Sequence, residues 1–176
     1  MAFWVFGYGS LLWNPGFTPV RQVKARLHDY HRSFCMLSIH HRGSEEDPGL
    51  VLALDTQAGG QCTGVAFQVA DEDVDTVHAE LRERELISSA YYEDTVELVS
   101  DDGDKIPALA YIINRDHEQY CQFDLEKQAQ IIANAVGGRG PNTEYLFNTA
   151  VHLNELQIKD SDMDWLVSRV RALTAT

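Results

Sequence analysis

Apolar residues alternate with polar ones, or gather in short β-branched and aromatic runs, through most of residues 1–113. This pattern predicts strands rather than helices. The predicted strands cover residues 3–8, 20–27, 33–41, 50–55, 62–69, 95–100 and 106–113. Turn-forming residues separate them at positions 47–49 and 58–60, and residues 101–104 form a predicted hairpin turn. The sheet is therefore expected to be mostly antiparallel.

One helical pattern interrupts the strands after Asp71. Asp71 is a suitable N-cap, and the acidic residues that follow it are favourable in a first helical turn. Val74, Val77 and Leu81 then recur at helical spacing. We expect this helix to end near Leu86.

Three more helices are predicted in the C-terminal third of the chain. The first is capped by Asp124 and stopped by residues 137–138, the second is capped by Asn142, and the last begins at Ser161. Strands followed by helices, with one helix inserted, predict an α+β fold: a curled, mostly antiparallel β-sheet or small barrel flanked by helices. No repeat or linker divides the chain, so residues 1–176 are expected to form a single domain.

One carboxylate lies on the apolar face of the first helix. Glu85 follows Leu81 by one turn and falls in the same sector, whereas Glu83 points away and Glu80 lies outside that sector. Partial burial and the nearby helix C terminus would raise the pKa of Glu85, as a general base acting near neutral pH requires. The alternative is that Glu85 lies just past the helix end and is either exposed or paired with Arg82 or Arg84, and helical phase alone does not decide between the two.

The glycine-rich turn after the first strand is a second candidate site. Its backbone N–H groups are suited to hold a carboxylate or a developing oxyanion. The residues predicted to bind substrate there are Gly7, Tyr8, Gly9, Ser10, Leu11 and Leu12. The alternative is a strand end followed by ordinary aromatic packing.

A second glycine-rich segment covers residues 137–146. It follows a helix rather than a strand and lacks the glycine and lysine spacing of a nucleotide-binding loop. Two interpretations remain open. The segment is either a helix stop followed by a helix start, or a loop that places Tyr145 beside the substrate.

The charge and the cysteines limit the possible partners and compartments. The chain has a formal net charge of −13 at pH 7 and no cluster of Lys and Arg, so neither nucleic acid nor an anionic membrane is an expected partner. No apolar run has bilayer length, and the N terminus lacks the basic region of a signal peptide. Cys35, Cys62 and Cys121 are odd in number and have no paired spacing. Such thiols are typical of a reducing compartment, and we expect the protein to be cytoplasmic.

The seven histidines do not predict a metal site. None belongs to a His-Glu-x-x-His pair. His40 and His41 are neighbours, and on a strand they would point to opposite faces of the sheet. We therefore expect no metal site, and we expect the cysteines to be buried small apolar residues.

Several short segments occur in an order that matches a known family. They are residues 6–13 (Phe-Gly-Tyr-Gly-Ser-Leu-Leu-Trp), 32–38, 42–43, 48–50, 64–67, 84–85 (Arg-Glu) and 140–146 (Gly-Pro-Asn-Thr-Glu-Tyr-Leu). Together they resemble the ChaC-like γ-glutamylcyclotransferases over nearly the whole chain. In that family the Arg-Glu element carries the catalytic acid, which corresponds to Glu85 here.

The resemblance implies that glutathione is the substrate and is converted to 5-oxoproline and cysteinylglycine without a cofactor. Two alternatives are a cyclotransferase for other γ-glutamyl amines or amino acids, and a non-catalytic regulator linked to cation transport. Relatives often carry a glycine pair before Tyr91, where this chain has Ser88, Ser89 and Ala90, which indicates a stiffer loop beside Glu85. The sequence does not define an oligomeric state.

Overall fold

Five strands form a closed barrel in the computed structural model, which describes residues 2–86 and 89–175. The strands are β1 (Phe3–Gly7), β2 (Arg21–Ser38), β3 (Gly49–Val69), β4 (Tyr91–Ser100) and β5 (Lys105–Ile113). Their order around the barrel is β1-β3-β2-β4-β5. The α+β class and the small barrel expected from the sequence are confirmed. Ser88, in the loop predicted to be stiff, lies outside the described residues.

Two predicted strand breaks are absent. The separate strands expected at 20–27 and 33–41 are one strand, and so are those expected at 50–55 and 62–69. Gly59 has a φ of 77° and Asp29 a φ of 67°, and the Gly59 N–H donates a hydrogen bond of 3.0 Å to the Asp29 carboxylate. The chain therefore turns locally at these residues without ending either strand.

The strand pairing is mixed rather than purely antiparallel. β1 pairs antiparallel with β3, from Phe3 opposite Val69 to Gly7 opposite Val65. β4 and β5 form the predicted hairpin, with residues 101–104 as its turn. β5 also pairs in parallel with β1 at Val5 and with β3 at Leu54. Alternation along single strands cannot reveal these parallel contacts, because they join segments far apart in the sequence.

The described residues divide into two compact units. The first contains residues 2–32, 53–86 and 89–118, and the second contains residues 33–52 and 119–175. The first unit has two clusters of buried apolar side chains, one of which includes Val77, Leu81 and Tyr111. Burying each large apolar side chain contributes about 1.5–3 kcal/mol, so these clusters are the main source of its stability.

Two helices belong to the first unit. The short helix α1 (Ser10–Trp13) was not predicted, because the preceding glycines indicated only a turn. Helix α2 (Val74–Glu85) follows a 3₁₀ turn at Asp71–Asp73. The predicted capping role of Asp71 is wrong, since the chain is already in the 3₁₀ turn at that residue and α2 begins three positions later.

Three helices and a two-stranded hairpin belong to the second unit. They are α3 (Leu125–Asn134), β6 (Val136–Gly137), β7 (Gly140–Pro141), α4 (Asn142–Glu155) and α5 (Ser161–Thr174). Asp124 caps α3 as predicted, and its side chain accepts a hydrogen bond of 2.8 Å from the Lys127 N–H. No helix in the part of the chain that the structure describes is long and apolar enough to cross a membrane.

The predicted cap at Asn142 is wrong. Asn142 is the first residue of α4, and its side chain is fully buried. Its Oδ1 accepts a hydrogen bond of 2.8 Å from the Leu50 N–H, and its Nδ2 donates one of 2.8 Å to the Leu50 carbonyl. The amide is therefore committed to the backbone of β3 and is not used to start its own helix.

The glycines after α3 allow a close backbone contact rather than a simple helix stop. Helix α3 ends at Asn134, before the predicted stop at residues 137–138. The Gly138 N–H donates to the His40 carbonyl at 2.7 Å. A Cβ atom at Gly137 would lie 2.4 Å from the carbonyl carbon of His41. Glycine is required at that position because any side chain would overlap this backbone.

Candidate active site

Helix α2 directs Glu85 towards the interior of the first unit. Val77 and Leu81 are buried, Glu80 and Glu83 are exposed, and the Glu85 side chain is only 15% exposed. The inward orientation predicted from helical phase is confirmed. Glu85 is the last residue of α2, and its carboxylate is half-buried. A half-buried carboxylate is a typical proton acceptor in an active site.

Arg84 joins Glu85 to the loop after β1. Its Nε lies 3.4 Å from Oε1 of Glu85. Its Nη2 donates to the Ser10 hydroxyl at 3.1 Å, and its Nη1 donates to the Asn14 carbonyl at 2.6 Å. The structure therefore brings together Glu85 and Ser10, which the sequence predicted separately. Arg84 was not predicted as a site residue, although its position directly before Glu85 was an available signal.

The loop of residues 7–12, called the substrate loop after its predicted role, begins in close contact with the Phe67 ring. A Cβ atom at Gly7 would lie 2.6 Å from Cε2 of Phe67, so this position admits only glycine. Leu11 and Leu12 have buried side chains, so only their backbone groups could contact a bound molecule. The Leu12 N–H donates to the Gly9 carbonyl at 2.9 Å and is not available as a substrate donor, in contrast to the prediction. The first N–H groups of a helix have no acceptor within that helix. The N–H groups of Ser10 and Leu11 are therefore better placed than that of Leu12 to donate to a bound molecule.

A buried arginine donates a hydrogen bond to the backbone of the substrate loop. Arg32 is 8% exposed, and its guanidinium donates to the carbonyls of Tyr8 and Thr63. The Tyr8 hydroxyl donates to the Tyr111 carbonyl at 2.8 Å, so the Tyr8 side chain points into the barrel. Arg32 brings a positive charge close to the loop in a strongly acidic chain. Sequence reasoning did not assign it a role, because its carbonyl partners are 24 and 31 positions away in the sequence.

Glu93 on β4 is the centre of a second polar cluster. It accepts hydrogen bonds from Arg82 Nε at 3.1 Å and Nη2 at 2.9 Å, and from the Tyr111 hydroxyl at 3.1 Å. Nε2 of His78 lies 3.1 Å from both carboxylate oxygens. The hydrogen bond from Arg82 is the largest cause that lowers the pKa of Glu93 to about 2. Burial, followed by the charge of Glu93, raises the pKa of Tyr111 well above its usual range.

Tyr145 belongs to the second unit and is buried there. Its hydroxyl accepts a hydrogen bond of 3.1 Å from the Leu52 N–H. Its ring packs edge-on against Phe34 at 6.0 Å, and the Arg42 guanidinium lies 5.8 Å from its centroid. These contacts give the residue a structural role. Its predicted contact with substrate stays a prediction.

Within residues 2–86 and 89–175, no three His, Cys, Asp or Glu side chains gather closely enough to hold a metal ion. The described carboxylates of the first unit are instead paired with arginine or lysine in several places. Glu93 pairs with Arg82, and Asp55 pairs with Arg115 at 2.8 Å.

The α+β barrel of this chain has the γ-glutamylcyclotransferase-like fold. The crystal structure of the γ-glutamyl cyclotransferase specific to glutathione from yeast has this fold. It superposes with a TM-score of 0.88 at 22% identity, covering 97% of this chain and 96% of that one. A family model described as ChaC-like protein matches residues 3–173. The chain belongs to the ChaC-like family.

Curated relatives from distant organisms match almost the whole chain. The glutathione-specific γ-glutamylcyclotransferase of Escherichia coli (strain K12) is 35% identical over 98% of this chain and 74% of that protein. γ-Glutamylcyclotransferase 2-3 of Arabidopsis thaliana is 33% identical over 97% of this chain and 89% of that protein. Glutathione-specific γ-glutamylcyclotransferase 1 of Danio rerio is 34% identical over 99% and 90%, respectively.

Proposed function

We propose that this protein is a cytoplasmic, cofactor-independent γ-glutamylcyclotransferase that converts glutathione to 5-oxoproline and cysteinylglycine. The observation that carries the proposal is the arrangement of Glu85, a half-buried carboxylate linked through Arg84 to Ser10 of the substrate loop. The names of the relatives in Escherichia coli and Danio rerio support glutathione as the substrate.

The reaction requires no nucleophile from the protein. The α-amine of the γ-glutamyl group attacks its own γ-carbonyl carbon, a C–N bond forms, and a five-membered lactam results. Holding the substrate in this folded geometry makes the attack intramolecular, which supplies a large part of the rate. The protein must therefore bind the γ-glutamyl arm in a bent conformation and move protons at the right atoms.

Glu85 is the group that moves the protons. The substrate amine is an ammonium ion near neutral pH, so it first releases one proton to solvent, and Glu85 accepts its second proton as the new C–N bond forms. When the tetrahedral intermediate collapses, the C–N bond to the cysteinyl nitrogen breaks. Glu85 then returns a proton to that nitrogen, so cysteinylglycine leaves as a neutral amine and the carboxylate is regenerated.

The substrate loop holds the charged parts of the substrate. Backbone N–H groups at Ser10 and Leu11 are the donors for the α-carboxylate or for the oxygen of the tetrahedral intermediate. The buried guanidinium of Arg32, bonded to the Tyr8 carbonyl, adds a fixed positive charge next to these donors. A fixed charge in a partly buried site attracts an anion more strongly than an exposed one does. This explains how a chain of net charge −13 can bind an anionic tripeptide.

The role of the substrate amine provides the decisive test. Glutathione should yield 5-oxoproline rather than free glutamate, because the amine is the nucleophile. Glutathione acetylated on the glutamyl nitrogen should not be cleaved, because an amide nitrogen has no lone pair available for attack. Mass spectrometry of both reactions measures this directly. Release of cysteinylglycine from the acetylated peptide at a rate near that of glutathione would mean that water or a side chain is the nucleophile.

Substrate preference is tested separately. Turnover of γ-glutamyl-alanine, compared with that of glutathione under the same conditions, distinguishes a glutathione enzyme from a cyclotransferase for other γ-glutamyl compounds. We expect kcat/KM to be at least 10-fold higher for glutathione. Equal values would favour the broader activity, and the absence of 5-oxoproline from both substrates would favour a non-catalytic protein.

A further inference from the structure

Two buried cysteines of the second unit stand opposite each other. Met36 on β2 forms an isolated antiparallel bridge with Tyr120. The Cys121 N–H donates to the Cys35 carbonyl at 2.8 Å, which places these two residues directly opposite each other, one position from the bridged pair. Residues in such a position direct their side chains to the same face. The two thiols therefore share a face, and the residues are 2% (Cys35) and 9% (Cys121) exposed.

The spacing of this pair suits a disulfide bond. Opposite residues at a hydrogen-bonded position of an antiparallel pair have Cα atoms about 5.5 Å apart. The Cα atoms of disulfide-bonded cysteines are usually separated by roughly 4.4–6.8 Å. The Cβ atoms would have to approach each other by about 1 Å from the usual cross-strand distance. A disulfide that requires such an adjustment is strained and is easily reduced again.

We propose that Cys35 and Cys121 form a reversible disulfide under oxidising conditions, and that this pair is a redox-modification site of the chain. The oxidant is a low-molecular-weight disulfide, for which glutathione disulfide is the probe. The proposal is independent of the proposed catalytic function, because it requires only that the two thiols meet.

The exchange takes place in two balanced steps. The thiolate of Cys121 attacks one sulfur of glutathione disulfide, the S–S bond breaks, and one glutathione thiolate leaves. The thiolate of Cys35 then attacks the Cys121 sulfur of this mixed disulfide and releases the second glutathione. Each protein thiol loses its proton to solvent, and each released thiolate takes a proton up. The protein is oxidised by two electrons, and the oxidant is reduced to two thiols.

Cys121 is the cysteine that the oxidant reaches first. It is the more exposed of the two, and residues 121–124, which lead to α3, belong to no strand or helix. Burial raises the pKa of the Cys121 thiol to about 11, so little thiolate is present near neutral pH. Exchange therefore requires local opening of this segment, and it should be slower than exchange at an exposed thiol. A slow reaction suits a site that responds to sustained oxidation.

The test is mass spectrometry of the folded protein after incubation with glutathione disulfide. The incubation is carried out without denaturant at about pH 8.5, near the ordinary pKa of a cysteine thiol. The remaining thiols are then alkylated in urea, and the protein is digested. We expect one alkylated cysteine instead of three, and two peptides joined through Cys35 and Cys121. Excess reduced glutathione should restore all three thiols.

Single variants establish the route. In Cys35→Ala, or in Cys35→Ser if the first variant is not folded, the reaction should stop after its first step and leave one glutathionyl group on Cys121. Cys62→Ala is the matched control, because Cys62 is also 2% exposed but lies in a buried apolar cluster of the first unit. This variant should still form the cross-link to the same extent as the wild type.

Three outcomes would overturn the proposal. The first is that all three cysteines of the wild-type protein are alkylated after the incubation without denaturant. The second is a wild-type protein that keeps a glutathionyl group on Cys121 and forms no cross-link. The third is a cross-link that includes Cys62 or that is lost in Cys62→Ala. Each would show that the positions of Cys35 and Cys121 in the fold do not allow their thiols to meet.

Discussion

The Nε atom of Arg84 lies 3.4 Å from Oε1 of Glu85, so two neighbours in the sequence form an ion pair at the end of α2. Adjacent residues on a helix do not normally face each other. Here the long Arg84 side chain is fixed at its far end by the Asn14 carbonyl and the Ser10 hydroxyl. The pair therefore locates the carboxylate relative to the substrate loop.

Arg84→Gln should lower kcat/KM by about 10- to 100-fold, because a displacement of the base by about 1 Å is enough for a loss of that size. Arg84→Lys keeps the charge but not the forked contacts, and it should recover only part of the activity. Arg26→Gln is the control, since Arg26 forms a peripheral pair with Asp101 at 3.2 Å. Activity within twofold of wild type in Arg84→Gln would show that this link is not needed.

Glu85→Gln should bind glutathione normally but lose about 10²- to 10⁴-fold in kcat, the usual effect of removing a general base. Glu83→Gln is a closely matched control, because Glu83 is on the same helix and exposed. Steady-state kinetics and a direct binding measurement separate the two effects. A Glu85→Gln variant that keeps its activity would show that Glu85 is not the general base.

Gly9→Val should raise KM by at least 10-fold while the protein remains folded. Gly9 is buried at the start of α1, and a β-branched side chain there would crowd the backbone donors that must approach the ligand. Gly59→Asn is the control, since nothing lies within 4 Å of a Cβ atom at Gly59 and Asn tolerates its positive φ. An unchanged KM in Gly9→Val, with the fold intact, would place the substrate loop elsewhere.

The pH dependence of stability should reveal the Glu93 cluster. The pKa of Glu93 is lowered from 4.5 to about 2, so the ionised carboxylate stabilises the folded state above about pH 4.5 and this contribution disappears as the pH falls towards 2. Glu93→Gln should therefore cost about 1–2 kcal/mol near neutral pH. The difference from wild type should shrink below pH 4.5. Urea unfolding at several pH values measures it, and Glu97→Gln should cost less than about 1 kcal/mol throughout. A pH-independent difference for Glu93→Gln would contradict this account.

The sequence predicted the parts of the site that depend on local spacing. The direction of Glu85 follows from its phase relative to Val77 and Leu81, and the strand end at Gly7 follows from local turn chemistry. Both can be deduced from residues within two helical turns or one strand. The glycine-rich turn and the inward direction of Glu85 were therefore predictable, although nothing in the sequence showed that Arg84 connects them.

Side chains with distant partners were not predictable. Arg32 bonds to the carbonyls of Tyr8 and Thr63, which are 24 and 31 positions away. Asn142 is a favourable cap residue locally, yet it bonds to Leu50, 92 positions away. In each case the side chain bonds to a backbone group that only the tertiary structure brings near it. A single sequence contains no signal for such pairing.

The start of helix α4 also has a consequence for self-association. Leu50 and Leu52 present their backbone groups on the same side of β3, and there the Asn142 amide and the Tyr145 hydroxyl take the place of a neighbouring strand. An uncovered strand edge is a template on which another chain can add. These two side chains form hydrogen bonds with the backbone of that edge, in the place where another strand would otherwise pair. Replacing the Asn142 amide with a group that lacks either its donor or its acceptor would reopen the edge, and concentration-dependent aggregation would accompany the loss of stability.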